Sequence, residues 1–501
     1  MLKSKLFLLG LTALLVLPSF LTGCGEGGKK PADNVQTTAA IETEPGETTT
    51  SKLTTALPDT DWGGRSFRVL GRQQETYPQF QNFEIDTEGM NGDIINDAVY
   101  ERNAYISEKY NVTVEARMET DPKGSLTKTV SAGDDSYDYS FQLMREVASL
   151  ASGGYLVNMS DLPYVDYSMP WWFQDINESI SVMNRFYYTS SMFNLMDKNR
   201  AYIMVFNKDK AESYNIPNLY ETIRSGGFTV EKMTQYCALV SGDLDGDGQM
   251  TATDAYGLGM DSVNVFTVIF QSQNNPIVTK DKDDLPVLSV NNDHTITSID
   301  KMLALCSNHD TAMYCEYFQG KVEGDYWSVS GTAFRESRTL FSTTFINYPG
   351  GLKNLSAKCD FNYGVIPYPK YDEAQEQYIS VPDPAWATVL CIPMTNTDLE
   401  FTGFMAELLA YQTQEMVLPA YYEISAKAKY TYDEESAEML DLIFSTLHYD
   451  LALVYNWGGF KEMLQDIGKS GSNTFASDYA SKETKMLTEM EQTLADFEAL
   501  E

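Results

Sequence analysis

The twelve residues DLDGDGQMTATD, 243–254, put three carboxylates at alternate positions and a fourth at the end of a turn that holds two glycines. A hard cation such as calcium takes about six to eight oxygen ligands, and calcium loops of the EF-hand type offer them from fixed positions along about twelve residues. In that pattern the ligand positions fall on Asp243, Asp245, Asp247, Gln249 (through its carbonyl), Thr251 and Asp254. Gly248 stands where the chain must turn sharply, which glycine does without strain. Met250 follows as the inward apolar residue. The set predicts a calcium ion held by Asp243, Asp245, Asp247, Gln249 and Asp254. The alternative is a solvated acidic turn.

Asp254 stands where such loops usually carry a longer glutamate, and in this the loop resembles those of dockerins. Other reactive constellations are missing. His294, His309 and His448 are scattered, and there is no G-x-S-x-G, H-E-x-x-H or P-loop. With 71 acids, a carboxylate pair at glycosidase spacing arises by chance and decides nothing. Apart from Cys24, the cysteines are Cys237, Cys306, Cys315, Cys359 and Cys391, an odd set with neither zinc spacing nor a disulfide framework. They read as small buried residues; a Cys306–Cys315 bridge stays open.

The N-terminus supplies an address. Lys3 and Lys5 precede an apolar run over residues 6–21, and LTGC closes it at Cys24. A basic start, a short apolar run and small residues form an export signal. LTGC matches the lipobox of bacterial lipoproteins. That resemblance implies cleavage after residue 23 and a lipid, palmitate included, on Cys24, with a plain secretory signal as the alternative. Residues 24–60 are rich in Thr, Gly, Pro and Glu without one aromatic ring, and are expected to be a disordered tether. Losing residues 1–23 takes the net charge from −35 to −37. Such an acidic chain argues against nucleic acid and against spreading on anionic lipid. Outside a cell calcium hardly varies, so a single loop is expected to clamp the structure, not to sense the ion.

The elements that must carry these residues alternate. RSFRVL (65–70) reads as a strand, residues 93–111 as a helix, and NVTVEAR (111–117) as a strand. A helix near 123–132 and a strand over 137–142 continue the rhythm, and AYIMVFN (201–207) is another strand. Strand–helix–strand units imply parallel sheet with helices on its faces. Helices are expected over 226–242, leading into the acidic loop, over 399–417, and over 482–500. The length predicts at least two lobes.

In this order the chain resembles the extracellular solute-binding proteins of family 1, lipid-anchored components of carbohydrate ABC importers. The segments that carry the resemblance are LTGC, DIINDAVYERN (93–103), AGDDSYDYS (132–140), YIMVFNKDK (202–210), AFRESRTLF (333–341), YGVIPYPKYDEAQEQY (363–378) and VLPAYYEIS (417–425). Ser337 departs from a usual glycine, and AWATVLCIP (385–393) replaces a glycine-richer stretch. The resemblance implies an α/β, two-lobed periplasmic-binding-protein-like fold of type II with lobes joined by crossing strands. The crossings are expected near 192–206, 381–389 and 419–425. The N-terminal lobe is then 61–195 plus 388–420, and the C-terminal lobe 196–387 plus 421–501. It further implies a monomer on the outer face of a Gram-positive cell membrane, permease partners, no catalysis, and capture of a sugar by hinge closure.

Sugars stack their C–H faces on aromatic rings and give their hydroxyls to polar side chains. Trp171 and Trp172 lie in a polar loop, MPWWFQD, and Trp327 lies in GDYWSV. Trp386 and Trp457 fall near the cleft by their place in the resemblance. Asp138 falls at the end of an expected parallel strand, where clefts of such sheets form. These six are the expected ligand residues, each with packing or capping as its alternative. Trp62 reads as core. A surface-tethered carbohydrate-active enzyme, an adhesion module, and a binding protein for peptide or another polar solute are the other functions open.

Overall fold

The computed structural model describes residues 53–75, 80–346, 359–383, 385–422 and 434–500. The expected signal segment, Cys24 and most of the tether lie outside these, as do residues 423–425 of the last expected crossing. Among the described residues no helix is long and apolar enough to cross a membrane.

The strands are β1 Arg65–Arg72, β2 Val112–Glu119, β3 Tyr139–Leu143, β4 Ile203–Asn207, β5 Tyr256–Met260, β6 Val278–Lys280, β7 Pro286–Leu288, β8 Ala312–Tyr314, β9 Thr339–Thr344, β10 Tyr363–Ile366 and β11 Thr388–Cys391. They form two main sheets. The first runs β11-β3-β1-β2, with β1 parallel to β2 and β3 and β11 antiparallel. The second runs β10-β4-β9-β5-β8, where β5 is parallel to β8 and β9 and β4 runs against both its neighbours.

Local chemistry explains the first sheet. Asp93 caps the helix Ile94–Tyr110 by accepting from the amides of Ile95 and Asn96. Asn111, with φ 53°, ends it and turns the chain into β2. Asp121 caps the helix Pro122–Ala132, proline opens it, and Gly133 closes it at φ 68°. β3 is buried along its whole length, as a central strand with helices on both faces must be.

Two segments pass between the sheets side by side. Ala201 bridges Pro382, the Tyr202 amide donates to Val381 O at 3.0 Å, and the Asp383 amide donates to Arg200 O at 2.8 Å. Residues 446–448 join the same ribbon through Ser380. The helices Leu451–Tyr455 and Phe475–Glu498 pack on Met144–Ser152 beside the first sheet, while Phe460–Ser470 packs on Asn264–Ser272 beside the second. One apolar core therefore runs from Val147 and Leu150 through Trp457 and Phe497 to Phe266 and Ile269.

The hairpin β6–β7 makes a further tie. Lys280 Nζ donates to Ser181 O at 2.6 Å and Ser181 Oγ at 2.7 Å, and pairs with Asp284 at 2.9 Å. Asp284 Oδ2 accepts from the Asn184 amide at 2.8 Å. Residues 181–184 belong to an arm anchored on the first sheet, where the Thr189 amide donates to Leu390 O of β11 at 2.8 Å.

Candidate functional site

Strands of both sheets end beside the paired crossings. β3 ends at Leu143, and Arg145 soon after it lies over the Trp386 indole at 4.6 Å. β9 ends at Thr344, and the Phe345 ring follows, 3.8 Å from the Arg200 guanidinium. Arg200 and Asp383, one on each crossing and each 2% exposed, form an ion pair. Removing either partner of such a buried pair leaves the other's charge uncompensated, which is strongly destabilising. β5 ends at Met260, and Asp261 follows. Its carboxylate accepts from Thr343 Oγ1 at 2.6 Å, and burial pushes it up to about 7. Burial likewise drives the Tyr202 and Tyr368 phenols well above their usual range.

A groove of about 740 Å³ opens next to this floor. Its first wall is the loop after β1, including Asn82, Phe83 and Asp86, and its second is Met118 on β2. Asn199 of the first crossing, Ile346 after β9 and Tyr421 of the helix Leu418–Tyr422 close it from the other side. The loop is held from below. Arg102, fully buried, donates to Glu84 O at 2.8 Å, Ile85 O at 2.9 Å and Thr413 Oγ1 at 2.9 Å. Burial pulls the Arg102 guanidinium down to about 9 and pushes the Glu84 carboxyl up to about 7. Asn199 is 2% exposed; its Oδ1 accepts from Tyr421 OH at 2.9 Å. Its Nδ2 has no hydrogen-bond partner among the described residues. A buried donor without an acceptor costs about 1–3 kcal/mol, which a ligand oxygen in the groove would recover.

The six expected ligand residues separate. Trp386 lies on the floor, half-buried, its ring stacked on Phe80 with centroids 4.0 Å apart. Trp327 is 46% exposed on the short turn Tyr326–Ser328, its ring 4.7 Å from that of Tyr326. The other four make contacts within the protein. Trp171 and Trp172 are 0% and 2% exposed, and their indole N–H groups donate to the two oxygens of Glu407 at 2.9 Å and 2.7 Å. Trp457, also 2% exposed, donates to Thr493 Oγ1 at 3.0 Å within the core. Each ring has its polar tip satisfied, as buried tryptophans require. Asp138 precedes β3, at the opposite end of that strand from Arg145. There it accepts from the Arg68 amide at 2.7 Å and from its guanidinium at 2.6 Å and 3.0 Å. The open bridge is settled too: Cys306 and Cys315 are free and buried.

The acidic loop has the expected turn. Gly246 and Gly248 sit at φ 76° and 82°, and Asp243 accepts from both their amides at 2.7 Å. Carboxylate oxygens of Asp243, Asp245 and Asp247 lie within 4.8 Å of one another. The glycine amides hold Asp243 below its usual range. The Asp247 amide pulls Asp245 the same way, but desolvation and the charges of Asp247 and Asp243 together carry it above. Three such oxygens fit a hard cation. Asp254 is placed differently from expectation: at 1% exposure it accepts from the amides of Leu244 at 2.8 Å and Thr251 at 2.7 Å, closing the loop. Met250 and Ala252 pack beneath, against the cluster of Tyr256 and Phe318.

Phe80, Arg145, Arg200 and Asn199 were not among the residues expected from sequence. The only signal for Asn199 and Arg200 was their place just before an apolar strand, in NRAYIMVF, and Phe80 and Arg145 had none.

No protein-family model and no curated protein matches the chain. Solved structures do. A cyclo/maltodextrin-binding protein complexed with maltotetraose is 10% identical with a TM-score of 0.53, over 87% of this chain and 96% of that one. A sugar transporter from Rhizobium etli, in an open conformation, is 12% identical with a TM-score of 0.53, over 86% and 99%. The apo-form of RafE from Streptococcus pneumoniae is 14% identical with a TM-score of 0.51, over 89% and 100%. At such identities the likeness is one of architecture: the chain has the α/β, two-lobed fold of periplasmic-binding proteins.

Proposed function

We propose that this chain is the substrate-binding lipoprotein of an ABC importer and captures a carbohydrate in the groove between its lobes. The observation that carries the reading is the amide of Asn199, without a partner among the described residues, at the wall of a groove large enough for an oligosaccharide. Asn82 and Asp86 add hydroxyl partners, and Phe83 and Tyr421 add ring faces. The structural neighbours support it, since two of them are named for maltodextrin and sugar. Binding, not turnover, is the activity. The lobes are taken as 61–195 plus 388–420 and 196–387 plus 421–501, with Cys24 as the lipid anchor and permease subunits as partners. A calcium ion on Asp243, Asp245 and Asp247 would neutralise three neighbouring charges and pin the segment that leads into β5.

A thermal-shift screen of mono- and oligosaccharides, maltotetraose included, tests the reading. A bound sugar raises the melting temperature and is recovered intact. Asn199→Leu abolishes the shift. Absence of a shift with every sugar, or release of hydrolysis products, refutes it.

A further inference from the structure

Neighbouring residues of the first crossing serve different cavities. Asn199 lines the groove described above, and Lys198 lines a separate cavity of about 370 Å³. One wall of that cavity is the arm residues Trp172, Phe173 and Asp175; the other is Phe444 and Leu447 at the end of the helix Glu434–Ser445.

Lys198 is 1% exposed, yet its ammonium makes no hydrogen bond among the described residues. Asp197 Oδ1 is 3.6 Å away, a buried ion pair that answers the charge but lies beyond hydrogen-bond reach, and its other oxygen accepts from Ser190 Oγ at 2.6 Å. The Phe173 ring, 4.1 Å from Nζ, offers only its π-face. An ammonium has three protons to give, and leaving them all ungiven inside a protein is costly. Burial accordingly pulls Lys198 below its usual range. The cavity beside it has the size of a small-molecule site and mostly apolar walls.

The missing partner is an acceptor, and carboxylate is the one that best meets an ammonium. A plain anion is disfavoured, because the chain carries a net charge of −35 and two exposed carboxylates, Asp175 and Asp441, line the cavity. A zwitterion answers both facts: its carboxylate meets Lys198, its ammonium faces Asp175, and an apolar side chain fills the space between Trp172, Phe173 and Leu447.

We propose that the cavity beside Lys198 is a second ligand site, which takes a small apolar α-amino acid. The site joins the arm to the helix Glu434–Ser445, so its occupant would bridge parts of the chain on either side of the first crossing.

Isothermal titration with L-leucine and L-phenylalanine tests this, using L-leucinamide, which lacks the carboxylate, as control. At least one amino acid should bind, leucinamide should bind at least ten-fold more weakly, and Lys198→Met should abolish binding. Should that variant fail to fold, Ser445→Trp, at the exposed mouth, should block the same titration while leaving the melting temperature unchanged. No heat from either amino acid, equal binding of leucinamide, or undiminished binding by both variants overturns the proposal. A sugar titration on the same samples keeps this outcome separate from that of the groove.

Discussion

The Phe80 ring lies flat on the Trp386 indole, 4.0 Å between centroids and 13° from parallel, with the Arg145 guanidinium 4.6 Å from the same indole. Phe80 comes from the loop after β1 and Trp386 from the second crossing, so the stack fastens that loop to the hinge ribbon. Trp386→Ala should weaken sugar binding by about 1 kcal/mol or more, roughly five-fold, and Trp386→Phe should retain most of it. Titration calorimetry with the best sugar from the screen measures both.

Glu407 serves two indoles at once. Glu407→Leu leaves two buried N–H donors without an acceptor, at a cost of about 1–3 kcal/mol each. The melting temperature should fall by several degrees, while Glu407→Gln, which keeps one acceptor, should lose about half as much. Sugar affinity in the folded fraction should be unchanged, because neither indole reaches the groove. Circular dichroism melts and titration of the same samples check the two halves of this expectation.

Asp261 gives a pH dependence with a definite sign. Its carboxyl titrates at about 7 in the folded chain against 3.8 as a free group, chiefly through burial. Between those values the folded state keeps a proton that the unfolded state has released. The contribution to stability is therefore full below the unfolded value and is lost as pH rises through about 7. Asp261→Asn removes the effect. The variant should gain melting temperature relative to the parent between about pH 5 and about pH 8, as differential scanning fluorimetry would record.

Calcium should matter to stability more than to affinity. With a dissociation constant of about 10⁻⁴ M, a concentration of about 2 mM stabilises by about 2 kcal/mol. A chelator should lower the melting temperature by a few degrees. Asp245→Ala should remove the response to calcium and leave the sugar-induced shift in place.

What could be read from sequence was what is decided locally. Asp93, Asp121 and Gly133 announce their helices within a few residues, and the first two strands begin within one residue of where the sequence puts them. The turn of residues 243–254 was legible for the same reason. Partners far apart in the chain were not. Trp171 and Trp172 look like loop tryptophans in need of a ligand because Glu407, which satisfies them, is 236 and 235 residues away. Arg200 reads only as a charge just before a strand until Asp383, 183 residues on, comes to face it. The expected strand began two residues early, which put Asp138 inside a strand that it precedes.

The β6–β7 hairpin gives the molecule a catch. If the two sheets are to swing apart, the grip of Lys280 on Ser181 and the hold of Asp284 on Asn184 must give way first. That toll falls on unlatching and not on docking, so whatever is enclosed should linger, with dissociation governed by a few polar contacts on a short ribbon remote from the occupant itself.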